Sequence, residues 1–360
     1  MSETPVHDYI IVGQGLAGSL LAHFLRKRGK KILVIDAFSS SSSSQIAAGL
    51  VHPITGRRLV KTWMADTAFP FAFKFYDELK KETGTSFFQS MPILEIISNA
   101  KQWNDWTGRK SDPEISDLIG ERIDESKYSL CLHPFLHLVP ILNSGWLNLP
   151  SFLHTIRTQL KNSHQLLEEE FDYEKLVILK DSISYKDNKA NRIIFCEGYK
   201  ISENPFWSWV PMLPAKGEIL TIETTGLPEE NILMKSIFIV PLGSNLFRVG
   251  STYSWSPLDE IPTEGALQKL TEQLDEILKV PYRVISQKAG VRPTVKDRRP
   301  LLGLHPQHPG VYVFNGLGTK GVSLGPFFAS HFVNYLEDKT ELIEEVNVKR
   351  FWNVGRKLDL

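Results

Sequence analysis

Three glycines, Gly13, Gly15 and Gly18, stand in the stretch "GQGLAG" with GxGxxG spacing. Their context is the one a dinucleotide site needs. "DYIIVG" before them reads as a short strand buried on both faces. "LAGSLLAHFLRKRG" after them repeats apolar residues at Leu16, Leu20, Leu21, Phe24 and Leu25, a helical period that Gly29 stops. "KILVID" is a second buried strand, and Asp36 ends it eighteen residues after Gly18. In such a unit Gly13 permits a tight turn, Gly15 lets a pyrophosphate approach the backbone, and Gly18 lets helix and strand pack closely. The helix N-terminus offers free N–H groups and a partial positive charge to the phosphates. Asp36 accepts hydrogen bonds from the adenosine ribose. Its charge would repel a 2′-phosphate, which argues against NADP. The spacing alone does not separate NAD from FAD.

Two other segments bear on that choice. After Asp36 no second regular helix is expected. The chain runs through six serines, Ser39–Ser44, of which Ser39 to Ser43 read as a solvated spacer. It then enters "SQIAAGLVHP", whose small residues let backbone lie close to a flat ligand. "GLGTKGVSLGP" brings Gly316, Gly318 and Gly321 to the start of another helix, a second place where negative charge is stabilised. A reduced flavin carries such charge near N1 and the C2 carbonyl; oxidised nicotinamide does not need it. Both segments favour FAD.

The elements that must position these residues follow from pattern. A helix with a kink at Pro70 is expected over 61–84, a strand at "PILEIIS", and an amphipathic helix at "LPSFLHTIRTQLKN" with Phe152, Ile156 and Leu160 in phase. "NRIIFCEG" is another buried strand. "GEILTIET", "SIFIVPL" and "LFRVGSTY" predict an antiparallel meander. A helix begins near Thr263, a plausible cap. "GVYVFNG" and "VSLGPFFASHFVNYLE" close the chain as strand and helix. The 360 residues allow two domains or one two-lobed domain. Lys+Arg and Asp+Glu are both 41, so the chain lacks the broad positive field that argues for nucleic acid or anionic membrane as a partner. The two cysteines, Cys131 and Cys196, form no ligand cluster, so no disulfide framework or metal site is expected. No signal segment precedes the first strand and no apolar run spans a bilayer, so a cytoplasmic protein is expected.

Taken jointly, "IIVGQGLAGSLLAHFL…ILVID", "SQIAAGLVHP", "IIFCEG", "PAKGEIL", "VGSTY", "GVRPTVKDRRPLLG" and "GLGTKGVSLGP" resemble the D-amino-acid-oxidase-like (DAO) family of FAD-dependent oxidoreductases, which includes glycine oxidase and sarcosine oxidase. The resemblance covers most of the chain in order. It implies an α/β fold with an α+β second lobe: a Rossmann-like FAD-binding domain over 1–60, 146–204 and 287–360, and a discontinuous antiparallel-sheet substrate domain over 61–145 and 205–286. It implies substrate held over the flavin under the second lobe, and oxidation of an amine C–N bond by hydride transfer to flavin N5. Gly13, Gly15, Gly18 and Asp36 match the adenine-dinucleotide grip. Ser44, Gln45, Ala47, Ala48 and Gly49 match the segment passing the pyrophosphate and isoalloxazine. Gly198 matches the glycine after the last strand of the FAD domain, but Cys196-Glu197-Gly198 departs from the usual Ala-Thr-Gly. Gly318, Thr319, Lys320 and Gly321 match the flavin-ring loop. That loop holds no cysteine, so the FAD is expected to be non-covalent.

Within this family Arg292 matches the arginine that clamps the substrate carboxylate, which the planar guanidinium can do with two parallel hydrogen bonds. Its bland alternative is a salt bridge with Asp297. Lys320 is placed near flavin N5 or N1, favouring the anionic reduced state, or in solvent. Tyr253 is a pocket residue or core. His52 faces substrate or is structural. Arg57 and Arg58 form a basic turn that is solvated or meets an acidic substrate. Trp207 and Trp209 are pocket walls or core. The expected partners are a small amine or amino acid and an electron acceptor, oxygen or another carrier. Two alternatives stay open. "GTKG" is similar to a loop in the oxidase half of a bifunctional enzyme that modifies the tRNA wobble uridine, against which the neutral charge counts. The other is a flavin-binding module without turnover.

Overall fold

The computed structural model describes residues 6–56 and 59–352. The chain divides into two compact units, one of Met1–Gln45, Leu149–Ala215 and Val291–Leu360, the other of Ile46–Asn148 and Lys216–Gly290.

The first unit is built on an eight-stranded sheet. The strand Val6–Val12 runs parallel to Ile32–Ile35 on one side and to Asn188–Phe195 on the other. Val311–Asn315 continues the parallel set beyond Asn188–Phe195. All four residues of Ile32–Ile35 are buried, as the unbroken apolar runs of a two-faced strand require. One core on this sheet joins Ile10, Val12, Phe195, Val313 and Trp207. The helix Leu16–Lys27 packs against the helix Gly321–Asp338. Two glycines permit the approach: a Cβ at Gly321 would stand 2.9 Å from Leu16 Cδ2, and one at Gly325 2.7 Å from Leu20 Cδ1. Both helices therefore present their N-termini from the same sheet, after the strands Val6–Val12 and Val311–Asn315.

The second unit holds a seven-stranded sheet in the order Arg283–Arg292, Ala215–Glu223, Leu246–Gly250, Phe238–Gly243, Ile232–Met234, Ile93–Ile97 and His137–Ile141. One face packs on a core containing Leu94, Ile96, Leu233, Ile239, Phe247, Val249 and the helix Glu264–Asp275. Thr263 caps that helix, its hydroxyl accepting from Ala266 N–H at 3.3 Å.

Several expectations change here. The three strands expected as a meander are not in chain order: Phe238–Gly243 and Leu246–Gly250 form a hairpin, and Ala215–Glu223 pairs with the second arm of it. The helix expected over 61–84 is shorter, Ala65–Thr83, with Pro70 inside it. The serine run is not followed by loop alone, because Ser43–Ile46 forms one helical turn. The division near 60 falls at 45/46, since Leu50–Val51 pairs with Gly145–Leu147 in the second unit. The division near 204 falls at 215/216, since Trp207 and Val210 belong to the first unit's core.

Candidate functional site

Gly13 sits at φ +96, and a Cβ there would lie 2.6 Å from the carbonyl oxygen of Cys196. A Cβ at Gly18 would lie 1.9 Å from the carbonyl oxygen of Gly13. Both positions are closed by backbone, so no side chain fits either. Gly15 is different. It caps the helix Leu16–Lys27 in extended conformation, and a Cβ there would meet only the Ser44 side chain, at 3.1 Å from Oγ. Leu16 N–H donates to Ser44 Oγ at 3.0 Å. The remaining first-turn N–H groups have no intrahelical acceptor, so the turn opens toward whatever anion Gly15 admits.

Asp36 is held from three sides. Its carboxylate accepts from Gln14 N–H at 2.8 Å, Phe38 N–H at 2.8 Å and the Arg157 guanidinium at 2.7 Å. Arg157 also donates to Gln14 Oε1 at 2.9 Å and to Glu168 at 3.2 Å, and stacks 5.3 Å from the Phe38 ring. Arg157 was not singled out in the sequence. The available signal was a cation four residues after Leu153 on the buried side of an amphipathic helix, where only a paired charge is tolerated.

Gly49, at φ +74, has its Cβ direction filled by the Leu147 carbonyl oxygen, 2.0 Å away. Ala48 is buried and Ala47 exposed, its carbonyl accepting from Arg248 at 3.2 Å. The Gly198 carbonyl accepts from Asn315 Nδ2 at 2.9 Å. Beside it, burial pushes the Glu197 carboxyl up to about 7, and Tyr173 O–H and Asn204 Nδ2 both donate to it. Burial also raises the Cys196 thiol. The departure from Ala-Thr-Gly thus places two interior groups behind the glycine turn.

Arg292 ends the strand Arg283–Arg292. Thr294 N–H donates to the Arg292 carbonyl at 2.9 Å. Thr294 Oγ1 is buried without a hydrogen-bond partner, and a Cβ at Gly318 would stand 3.8 Å from it. The two sequence-predicted segments, "GVRPT" and "GLGTKG", are therefore neighbours. Asp297 pairs with Arg350, Nε to Oδ2 at 2.8 Å. Lys320 caps the helix Gly321–Asp338, and burial draws its ammonium down to about 8. Thr319 is exposed.

The remaining candidates scatter. Tyr253 is 46% exposed and meets Trp255 edge-on, with centroids 5.0 Å apart. His52 Nδ1 accepts from Ile54 N–H at 3.3 Å, so any proton of the neutral ring sits on Nε2. Trp207 is fully buried in the first unit's core, and Trp209 packs on it and on His305, so both are core rather than pocket walls. Arg57 and Arg58 lie outside the described residues. Among the described residues, no group of three or more His, Cys, Asp or Glu side chains could hold a metal ion, and no helix is long and apolar enough to cross a membrane.

Known proteins match along nearly the whole chain. The family model for FAD dependent oxidoreductases, DAO, matches residues 8–334. The bifunctional tRNA 5-methylaminomethyl-2-thiouridine biosynthesis protein of Idiomarina loihiensis is 24% identical over 96% of this chain, which spans 59% of that relative's length. The glycine oxidase of Bacillus subtilis is 22% identical, with 89% of this chain and 90% of that protein covered. The crystal structure of glycine oxidase from Geobacillus kaustophilus superposes with a TM-score of 0.77 at 18% identity, covering 93% of this chain and 95% of that one, a likeness of fold.

Proposed function

Because the chain belongs to the DAO family of FAD dependent oxidoreductases, we propose that it oxidises the C–N bond of a small amine or amino acid. FAD, when bound, supplies the hydride acceptor. In this reading the Gly13–Gly18 turn receives the pyrophosphate at the helix N-terminus. Asp36, oriented by Arg157, takes the ribose hydroxyls. Ser44, Gln45, Ala47, Ala48 and Gly49, with Gly198 and the Gly318–Gly321 loop, complete the cofactor contacts. Lys320, still mainly cationic at neutral pH, adds its charge to the second helix N-terminus and favours an electron-rich flavin.

One observation carries the substrate class. Arg292 ends a strand two residues before Thr294, whose buried hydroxyl, without a partner, lies beside the Gly318 loop. Together they offer a planar donor pair and a third donor to a carboxylate. Tyr253 and His52 are further candidates for the pocket. The test begins with colour: the purified protein is yellow and releases FAD on denaturation. Anaerobic mixing with a panel of amino acids and N-methylated amines then bleaches the flavin, and Arg292→Ala loses this on carboxylate-bearing substrates while keeping FAD. A colourless protein that takes up no FAD refutes the reading.

A second reading, oxidation at a modified tRNA wobble uridine, draws on the relatives that match 96% of the chain. Its weakness is the zero net charge, which supplies no broad field for RNA. Bleaching by undermodified tRNA but by no free amine would favour it. Bound FAD with neither turnover would leave a flavin-binding module.

A further inference from the structure

Three parallel strands of the first unit end level with one another. Ile193, Ile194 and Phe195 pair with Ile10, Ile11 and Val12 on one side and with Val311, Tyr312 and Val313 on the other. Each strand then gives way to a turn: at Gly13, at 196–198 and at Gly316. The 196–198 turn therefore lies between the other two. Dinucleotides lie across the carboxyl ends of parallel strands. An FAD reaching from the Gly13 turn to the 316–321 loop crosses the middle turn, where Cys196-Glu197-Gly198 replaces the usual Ala-Thr-Gly.

Side chains fasten this middle turn. Asn315 is 2% exposed. Its Nδ2 donates to the Gly198 carbonyl at 2.9 Å, and its Oδ1 accepts from Gly316 N–H at 2.8 Å. One amide thus joins the middle turn to the start of the glycine-rich loop. It supplies a donor to one and an acceptor to the other, which a carboxylate or an ammonium cannot do. Behind the turn, Tyr173 O–H donates to one oxygen of Glu197 and Asn204 Nδ2 to the other, the latter at 2.7 Å. Toward the first turn, Cys196 N–H donates to the Val12 carbonyl at 2.7 Å. Gly198 itself is open: at φ +61, a Cβ there would meet nothing within 4 Å. The turn is held to both neighbours and leaves the Cβ direction of Gly198 free for a ligand to approach.

We propose that Asn315 is a positioning residue for the cofactor: it sets the spacing between the 196–198 turn and the 316–321 loop, and so the fit of FAD across both, while Glu197 holds the turn from behind. The assignment rests on FAD binding and not on the substrate, so it is tested independently of the C–N reading.

The test is FAD titration of the full-length apoprotein, wild type and Asn315→Asp, from mildly acidic to alkaline pH, with the unfolding midpoint of each. The substitution keeps shape and the acceptor for Gly316. As a carboxylate it has no donor and sets negative charge against the Gly198 carbonyl; once protonated it donates there again. Burial raises such a carboxyl above its ordinary range. FAD affinity relative to wild type is therefore expected to fall about tenfold at alkaline pH and to recover in mildly acidic buffer. Glu197 and Lys320 titrate in both proteins and cancel in that ratio. A role confined to stability would move the midpoint without this pH-dependent recovery. A ratio within about twofold of one at every pH, or a loss that pH does not change, overturns the proposal. If Asn315→Asp does not fold, Asn315→Ser, too short to join the two turns, takes its place: a loss of about tenfold is expected, and affinity within about twofold of wild type overturns the proposal. A wild type that takes up no FAD overturns it together with the cofactor.

Discussion

Removing Arg157 gives the sharpest test of the cofactor grip. The guanidinium is only 9% accessible and joins Asp36, Gln14 and Glu168. In Arg157→Met the Asp36 carboxylate keeps the Gln14 and Phe38 N–H groups, so it is not stranded. What is lost is the charge-assisted bond to the Asp36 carboxylate, the donor to the Asp36 carbonyl at 3.2 Å, and the donor to Gln14 Oε1, a residue 5% exposed. A charge-assisted bond contributes roughly 1.5–3 kcal/mol, and leaving a buried acceptor unsatisfied costs about 1–3 kcal/mol. Glu168 is 44% exposed and adds little. The expected destabilisation is about 3 kcal/mol. For FAD the effect passes through Asp36: a carboxylate free to rotate loses part of its ribose bond, and a tenfold loss corresponds to about 1.4 kcal/mol. Urea unfolding of the apoprotein measures the first quantity. Titration of flavin fluorescence measures the second, with FMN, which lacks the adenosine ribose, as the control. FAD affinity should fall about tenfold in Arg157→Met while FMN affinity stays. Equal losses for both flavins, or no loss for either, would refute the positioning role.

Three further outcomes follow. Gly18→Ala puts a methyl 1.9 Å from the Gly13 carbonyl oxygen and should cost about 3 kcal/mol or more of stability. Gly15→Ala meets only the Ser44 hydroxyl, so it should leave the unfolding midpoint within about 1 kcal/mol yet lower FAD affinity at least tenfold by blocking the pyrophosphate; unchanged FAD affinity would remove Gly15 from the site. His305 is 4% exposed, and its Nδ1 accepts from Gln307 and His308 N–H at 3.1 and 3.2 Å. Burial, with His308 beside it, lowers its pKa from 6.5 to about 4. Between these values the unfolded chain binds the extra proton, so stability is intact above pH 6.5 and falls as pH drops toward 4, by roughly 3 kcal/mol from this group. His305→Phe should flatten that part of the pH–stability curve, and an unchanged slope would discount the group.

The dinucleotide turn was readable because it is local. Gly13, Gly15, Gly18 and the buried strands around them lie within thirty residues, and their roles follow from periods of two and 3.6 and from the space a Cβ needs. The strand Arg283–Arg292 carries no legible period because it is a sheet edge, with Gln287 and Lys288 interrupting any apolar pattern. Ile232–Met234 is too short to show a period.

The amino-acid sequence by itself determined a parallel βαβ unit with an anion-ready helix N-terminus, an acid at the end of its second strand, and a second glycine-rich helix start near the C-terminus. Tertiary structure alone decided that Arg157 holds that acid, that Thr294 lies beside Gly318, and that Glu95 and Arg248 share one sheet face. The reason is the same each time. Residues 121, 24 and 153 positions apart meet only after strand order and register are set, and register is chosen by which faces bury apolar area, not by any pattern local to those residues.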